Sequence, residues 1–226
     1  MCNLYAYIFE SELRAMCSQA SQFPNTETGG DLYGTWTYGN KPVIYLATGP
    51  GPNASAGVAS FFQDNEYIME NERMLFESFG IQYLGDWHSH HVLNLQNPSS
   101  GDQKRINNLM VKSKRKKMME IIISHTTTVL FENAKTPFIE KVMAYQYDSM
   151  SIPTMNDCCI RLLSTPNSIV RQHISSDNRF SSINLMHISP KIMIENIQLL
   201  THFQQAKNYN SEANCFSDII SSLVLR

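Results

Sequence analysis

The stretch Tyr83–Gln103, YLGDWHSHHVLNLQNPSSGDQ, decides how the rest of the chain is read. Its apolar lead-in, Ile81 to Leu84, has the composition of a short buried strand ending at Gly85. His88 and His90 follow at a spacing of two. If the strand carries through them, both imidazoles project from one face, because strand side chains alternate with period two. Twelve residues beyond His90, after a Pro-Ser-Ser-Gly turn, stands Asp102. Two neutral imidazoles and a carboxylate are a natural donor set for a divalent cation of zinc type. Three protein ligands leave a fourth position for water, the arrangement of catalytic rather than closed structural sites. The stretch predicts a hydrolytic site holding one zinc ion through His88, His90 and Asp102.

The totals frame that reading. A chain of 226 residues is ample for a buried core, as one domain with an appendage or as two small ones. Hydrophobic residues make up 42% and charged residues 17%, the latter below the globular average of roughly 25%. Asn, Ser, Gln and Thr supply the polar remainder of a globular rather than disordered composition. A formal net charge of −2 argues against a general affinity for nucleic acid. Five cysteines (Cys2, Cys17, Cys158, Cys159, Cys215) form no C-x-x-C pair and no regular framework, so free thiols in a reducing compartment are expected. The N-terminus lacks a basic segment leading into an apolar one, and no run is apolar for the roughly 18 residues a membrane span needs. A soluble, cytoplasmic protein is the expectation.

Along the chain, Leu4–Phe9 is aromatic and β-branched and reads as a strand. Ser11–Gln22 carries Leu13, Met16, Cys17 and Ala20 at helical spacing, and Pro24 ends it. Thr35–Tyr38 and Pro42–Thr48 predict a hairpin closed by Gly39-Asn40, a dipeptide that tolerates positive φ. Gly49–Gly57 is a loop by composition. Ser60–Ser78 has the best amphipathic pattern in the sequence, capped by Gly80. Gln103–Lys117 predicts a helix ending in a basic cluster. Glu120–Ser124, Thr127–Glu132 and Glu140–Tyr147 predict three strands, with Asn133–Pro137 as a turn. From about Ser149 the texture changes, and helices are expected over Lys191–Asn208 and Phe216–Leu225. The predicted organisation is an α/β (α+β) catalytic unit over 1–148, a mixed sheet flanked by helices, followed by a mostly helical extension over 149–226.

Hydrolysis at such a site calls for a base, because a nearby carboxylate helps move the water's proton to the leaving group. Glu27, ahead of Gly29-Gly30, is a candidate, but spacing alone does not separate it from Glu66, Glu70 or Glu72. The combination does. Glu27-Thr-Gly-Gly-Asp-Leu-Tyr-Gly34, His88-Ser-His90 and Ser99-Ser-Gly-Asp102 together resemble the JAMM (MPN-plus) zinc metalloprotease family over about residues 3–148. The resemblance implies a core related to the cytidine deaminase fold. It implies zinc on His88, His90 and Asp102, Glu27 as general base, and Ser99 as the donor that stabilises the oxyanion. Two features differ from the family pattern: His91 stands where Pro usually follows the second histidine, and the segment between His90 and Ser99 is one residue longer than in the eukaryotic enzymes. Trp87-His-Ser-His-His91, with Gly49-Pro-Gly-Pro-Asn53, resembles a bacterial branch found in ubiquitin-like conjugation operons, some implicated in phage defence. The implied activity is that of a deubiquitinase-like isopeptidase or peptidase, cutting after the C-terminus of a ubiquitin-like protein. Its implied partners are that protein, its conjugates and the cognate conjugating enzymes, with neither nucleic acid nor membrane. The implied alternatives are a non-catalytic scaffold of the same fold, and processing of a sulfur-carrier-like protein.

Plainer roles exist for the same residues. Ser99 is suited to cap the helix after Pro98, and Asp102 to stabilise that helix's positive end. Alternation turns His91 away from the ligand face, toward packing or substrate. His125, His173, His187 and His202 are scattered, as ordinary polar residues are. The basic run 112–117 fits a solvated helix C-terminus, with an acidic partner face as the alternative.

Overall fold

The computed structural model describes residues 4–90, 97–131, 134–149 and 154–190, with backbone only for 125–131 and 134–140. His91, His202, Cys2, Cys215 and the two helices expected beyond residue 190 lie outside the described residues.

The chain opens with strand β1 (Tyr5–Ile8) and helix α1 (Glu10–Gln22), then strands β2 (Gly29–Trp36) and β3 (Pro42–Ala47). A minimal hairpin, β4 (Ser55–Ala56) and β5 (Phe61–Phe62), precedes helix α2 (Asn65–Phe79). Strand β6 (Gln82–His90) and helix α3 (Ser100–Ser113) follow, then β7 (Lys117–Phe131), β8 (Ala134–Asp148), β9 (Thr154–Leu162) and α4 (Ile169–Ser176). Seven strands form one mixed sheet in the order β1-β3-β2-β6-β7-β8-β9. The expected α+β sheet with flanking helices is present, but it closes on itself. β9 pairs antiparallel with β8 and parallel with β1, completing a barrel. The texture change near residue 149 is therefore no boundary of the sheet, since Tyr5–Ile8 take their ladder partners from Cys159–Leu162.

Two packed layers enclose the sheet. On one side α1 buries Leu13, Met16, Cys17 and Ala20 against Leu32, Trp87, Ile121 and Ala144. Burial pushes the Cys17 thiol up to about 12, so it is an inert core side chain. Cys158 and Cys159 are also free thiols. On the other side Tyr33, Leu46, Leu75, Ile106, Ile122 and Ile174 join α2, α3 and α4 to the sheet. α4 is tied across the molecule. Arg171 donates to both carboxylate oxygens of the fully buried Glu12 on α1, at 2.7 and 2.9 Å, and to the carbonyls of Ala47 and Met186.

Local chemistry explains where elements start and stop. α2 begins at Asn65 rather than Ser60, because the Asp64 carboxylate accepts from the Tyr67 amide and caps the helix there. The preceding Phe61–Phe62 is thereby left to pair as β5. Gly80 ends α2 in the left-handed conformation, as expected. Asn40, at φ 59°, closes the β2–β3 turn. The strands expected at Glu120–Ser124 and from Thr127 are one long strand, β7, because a register shift at Ser124/His125 absorbs the irregularity and pairing continues. Ala134–Pro137, expected as a turn, belongs to β8. The basic run is only partly solvated. Lys112, Lys114 and Lys116 are exposed, whereas Arg115 pairs with Glu72 at 2.5 Å and Lys117 with Asp148 at 3.5 Å.

β6 sits between β2 and β7, and close backbone approach is what lets it lie there. Gly85 has φ 148°, and a Cβ on it would stand 1.9 Å from the Met119 carbonyl oxygen. A Cβ on Gly29 of β2 would stand 2.4 Å from the Trp87 carbonyl oxygen. Both positions accept only glycine without backbone movement.

Candidate metal centre

The C-terminal end of β6 alternates as period two requires. Trp87 is fully buried in the layer beneath α1 and donates its indole N–H to the Thr48 carbonyl at 2.9 Å. Ser89 exchanges hydrogen bonds with Thr28: its hydroxyl oxygen accepts from the Thr28 amide at 3.0 Å, and its amide donates to the Thr28 carbonyl at 2.8 Å. His88 and His90 take the opposite face, 3% and 5% exposed. Their Nε2 atoms converge to 3.0 Å, with the ring planes at 61°.

Asp102 arrives from α3, three residues past the N-cap Ser99. A reciprocal capping box holds it: the Ser99 hydroxyl accepts from the Asp102 amide at 3.2 Å, and the Ser99 amide donates to Asp102 Oδ2 at 2.8 Å. Asp102 Oδ1 then lies 3.7 Å from His88 Nε2, and Oδ2 lies 3.7 Å from His90 Nε2. The capping role read for Ser99 and Asp102 and their place beside the histidines are thus one arrangement. Burial pushes the Asp102 carboxyl up, but hydrogen bonds from His88, His90 and Ser99 outweigh it and hold the group well below the usual carboxylate range. Burial lowers His88, with Asp102 opposing, so its imidazole is neutral at pH 7. A neutral His88 nitrogen and an anionic Asp102 oxygen are in the protonation state that metal binding requires.

The donor atoms of His88, His90 and Asp102 all lie within 4.8 Å of one another. Two imidazoles whose Nε2 atoms lie 3.0 Å apart are satisfied either by a hydrogen bond between them or by a cation in front of both. A carboxylate reaching both nitrogens fits the cation. A second group within the same span, Asp86, His88 and Glu120, does not offer an equivalent site. There the Arg105 guanidinium already bonds to both carboxylates.

Glu27 follows from the β2–β6 register. Gly29 pairs with His88, and Thr28 bonds to Ser89, so the next residue back stands opposite His90. The Glu27 amide is held by the Gly57 carbonyl at 2.9 Å. Burial pushes its carboxyl up to about 7; His90 and Arg105 pull it down, and the Asp102 charge raises it further. The three sequence segments that carry Glu27, the histidines and Ser99–Asp102 are therefore brought together. His173 and His187 do not join them: His173 makes edge contacts with Phe79 and Phe180, and His187 is exposed.

Sequence reasoning missed what lies behind His88. Glu120 and Asp86 are fully buried and share Arg105, while the Tyr147 hydroxyl donates to Glu120 Oε2 at 2.5 Å. One signal was available: Glu120 interrupts the apolar run Met118–Ile123 in a strand buried on both faces. A groove of about 730 Å³ runs beside the site between α2 and α3, its lining including Ile68, Met69, Tyr83, Lys104, Leu109 and Lys112.

No protein-family model matches this chain. The chain is similar to a Sinorhizobium fredii protein named Probable metalloprotease y4qB, 34% identical over 100 residues. That match spans 43% of this chain and 61% of the relative, less than two thirds of its length. Among solved structures the chain is similar to the solution structure of protein DSY2949 from Desulfitobacterium hafniense, at 16% identity and a TM-score of 0.48. The likeness covers 70% of this chain and 92% of that one. Among the described residues, no helix is long and apolar enough to cross a membrane.

Proposed function

We propose that this chain is a JAMM-type zinc metallopeptidase, cutting a peptide or isopeptide bond after the C-terminus of a ubiquitin-like protein. The observation that carries the reading is the convergence of the His88, His90 and Asp102 donor atoms within 4.8 Å of one another, with the Glu27 carboxyl within reach of their charges. The name of the Sinorhizobium relative supports a peptidase, and the sequence resemblance supports the JAMM type and the zinc. The ubiquitin-like substrate and the bacterial conjugation pathway in phage defence rest on that resemblance.

Held by His88, His90 and Asp102, a zinc ion supplies Lewis acidity, polarising a carbonyl and making a water acidic near neutral pH. The chain does the rest. Glu27, pushed up to about 7, is matched to take a proton from water and return it to the departing amine at the same pH. The Ser99 hydroxyl accepts the Asp102 amide and keeps its own proton to donate to the oxygen on which negative charge develops.

The test is cleavage of a fusion carrying a bacterial ubiquitin-like protein upstream of a reporter. Activity is expected to vanish with chelator and return with zinc, and Glu27→Gln is expected to retain zinc while losing ~10²–10⁴-fold in rate. Full activity in Glu27→Gln removes the assigned base. Zinc-independent cleavage removes the metal.

A further inference from the structure

We propose that Glu120 is a positioning residue for His88, accepting its Nδ1–H so that the Nε2 lone pair is presented to the cation. The inference rests on the metal centre proposed above and concerns a carboxylate on the other side of the imidazole from it.

His88 is buried, its Nε2 faces His90 and Asp102, and its Nδ1 has no hydrogen-bond partner. A buried polar nitrogen in that condition is costly and calls for an acceptor. The carboxylate oxygen that reaches it is Glu120 Oε1, at 3.8 Å. A closure of about 1 Å makes a hydrogen bond of ordinary length. The parallel β6–β7 register sets this up, because Glu120 pairs with Asp86, two residues before His88 on the same face of β6.

Glu120 is held for the purpose. Tyr147 donates to Oε2 at 2.5 Å, and Arg105 Nη2 reaches Oε1 at 3.3 Å, leaving Oε1 a further lone pair toward His88. Asp86 bonds to Arg105 through both oxygens, and Glu120 is the carboxylate that reaches His88 Nδ1. An imidazole whose other nitrogen binds a divalent cation offers an N–H of enhanced positive character, which strengthens a bond to Glu120. Arg105 stands three residues after Asp102 on α3, so one helical turn carries a ligand and the brace of the group behind another ligand.

The experiment is a zinc titration of the full-length protein against a chromophoric chelator, with Glu120→Gln and Asp102→Ala in parallel, and thermal melts in EDTA to report folding. Glu120→Gln is expected to raise the zinc Kd ~10–100-fold while the protein stays folded. A long-range ¹H–¹⁵N correlation on zinc-loaded wild-type protein, which needs no variant, is expected to show His88 protonated at Nδ1. Either a zinc Kd within about twofold of wild type in folded Glu120→Gln, or a His88 proton on Nε2, overturns the inference. Loss of zinc in Asp102→Ala alongside an unchanged Glu120→Gln leaves the metal centre standing and removes only the role of Glu120. A wild-type protein that binds no zinc removes both.

Discussion

Replacing Arg171 by Met tests whether the chain beyond residue 149 is an integral part of the domain. The Glu12 carboxylate is fully buried and receives four donors: two from Arg171, at 2.7 and 2.9 Å, the Ala47 amide at 2.8 Å, and the Ser11 hydroxyl at 2.9 Å. Arg171→Met leaves the last two but no countercharge. Breaking a buried ion pair from one side costs roughly 3–5 kcal/mol, because the remaining charge stays desolvated. The carbonyls of Ala47 and Met186 also lose their guanidinium donors, and each such hydrogen bond is worth about 1 kcal/mol net. The expected loss is therefore at the upper end, about 4–5 kcal/mol, against a total stability of about 5–15 kcal/mol for a domain. Urea unfolding at pH 7, followed through Trp36 and Trp87 fluorescence and far-UV circular dichroism, reads it directly. The double variant Glu12→Leu/Arg171→Met removes both charges and is expected to be more stable than Arg171→Met by at least ~1 kcal/mol, a non-additivity that only a direct pair produces. A cost below about 1 kcal/mol for Arg171→Met, or strictly additive variants, refutes the reasoning.

Asp102→Asn keeps an oxygen for the capping box and loses the charge, whereas Asp102→Ala loses both. Zinc affinity is expected to fall in each, with an additional ~0.5–2 kcal/mol loss of helix stability in Asp102→Ala alone; equal melting points for the two in EDTA would contradict the cap. The metal-stripped protein is expected to lose stability as pH rises from 6.5 to 8. Burial, with Asp86 adding, pushes Glu120 up to about 8, and burial pushes Glu27 up to about 7, so the folded state keeps protons that the unfolded chain has released above about 4.5. Stability then falls with pH at up to ~1.4 kcal/mol per unit for each group while it still holds its proton. His88, lowered by burial, acts in the opposite sense, but only below its ordinary value of 6.5. Glu120→Gln should flatten the slope in this window, and a stability that rises with pH in EDTA would reject the assignment.

The site was legible where the chain is periodic. His88 and His90 share a face because any strand through them must put them there, and Asp102 lies one helical turn past a Ser that caps. Glu27 was legible only through a pattern of residues, since nothing local in Glu27-Thr-Gly-Gly says that β2 will run antiparallel to β6 in the register that sets Glu27 opposite His90. The start of α2 was misjudged for a local reason: Phe61 and Phe62 fit an amphipathic helix, but the Asp64 cap excludes them from it. Fusion of two expected strands into β7 came from a bulge that no propensity marks.

Composition and alternation by themselves determined the α+β class, most element types and three of the side chains at the candidate metal centre, because those depend on neighbours a few residues away. Only the tertiary structure decided that the sheet closes through β9, that Arg171 reaches Glu12, and that Glu120, Arg105 and Tyr147 gather behind His88. Such contacts join residues dozens of positions apart. Their partners are chosen by which buried charges and unpaired backbone groups the packed layers leave to be satisfied, and that choice exists only once the layers have met.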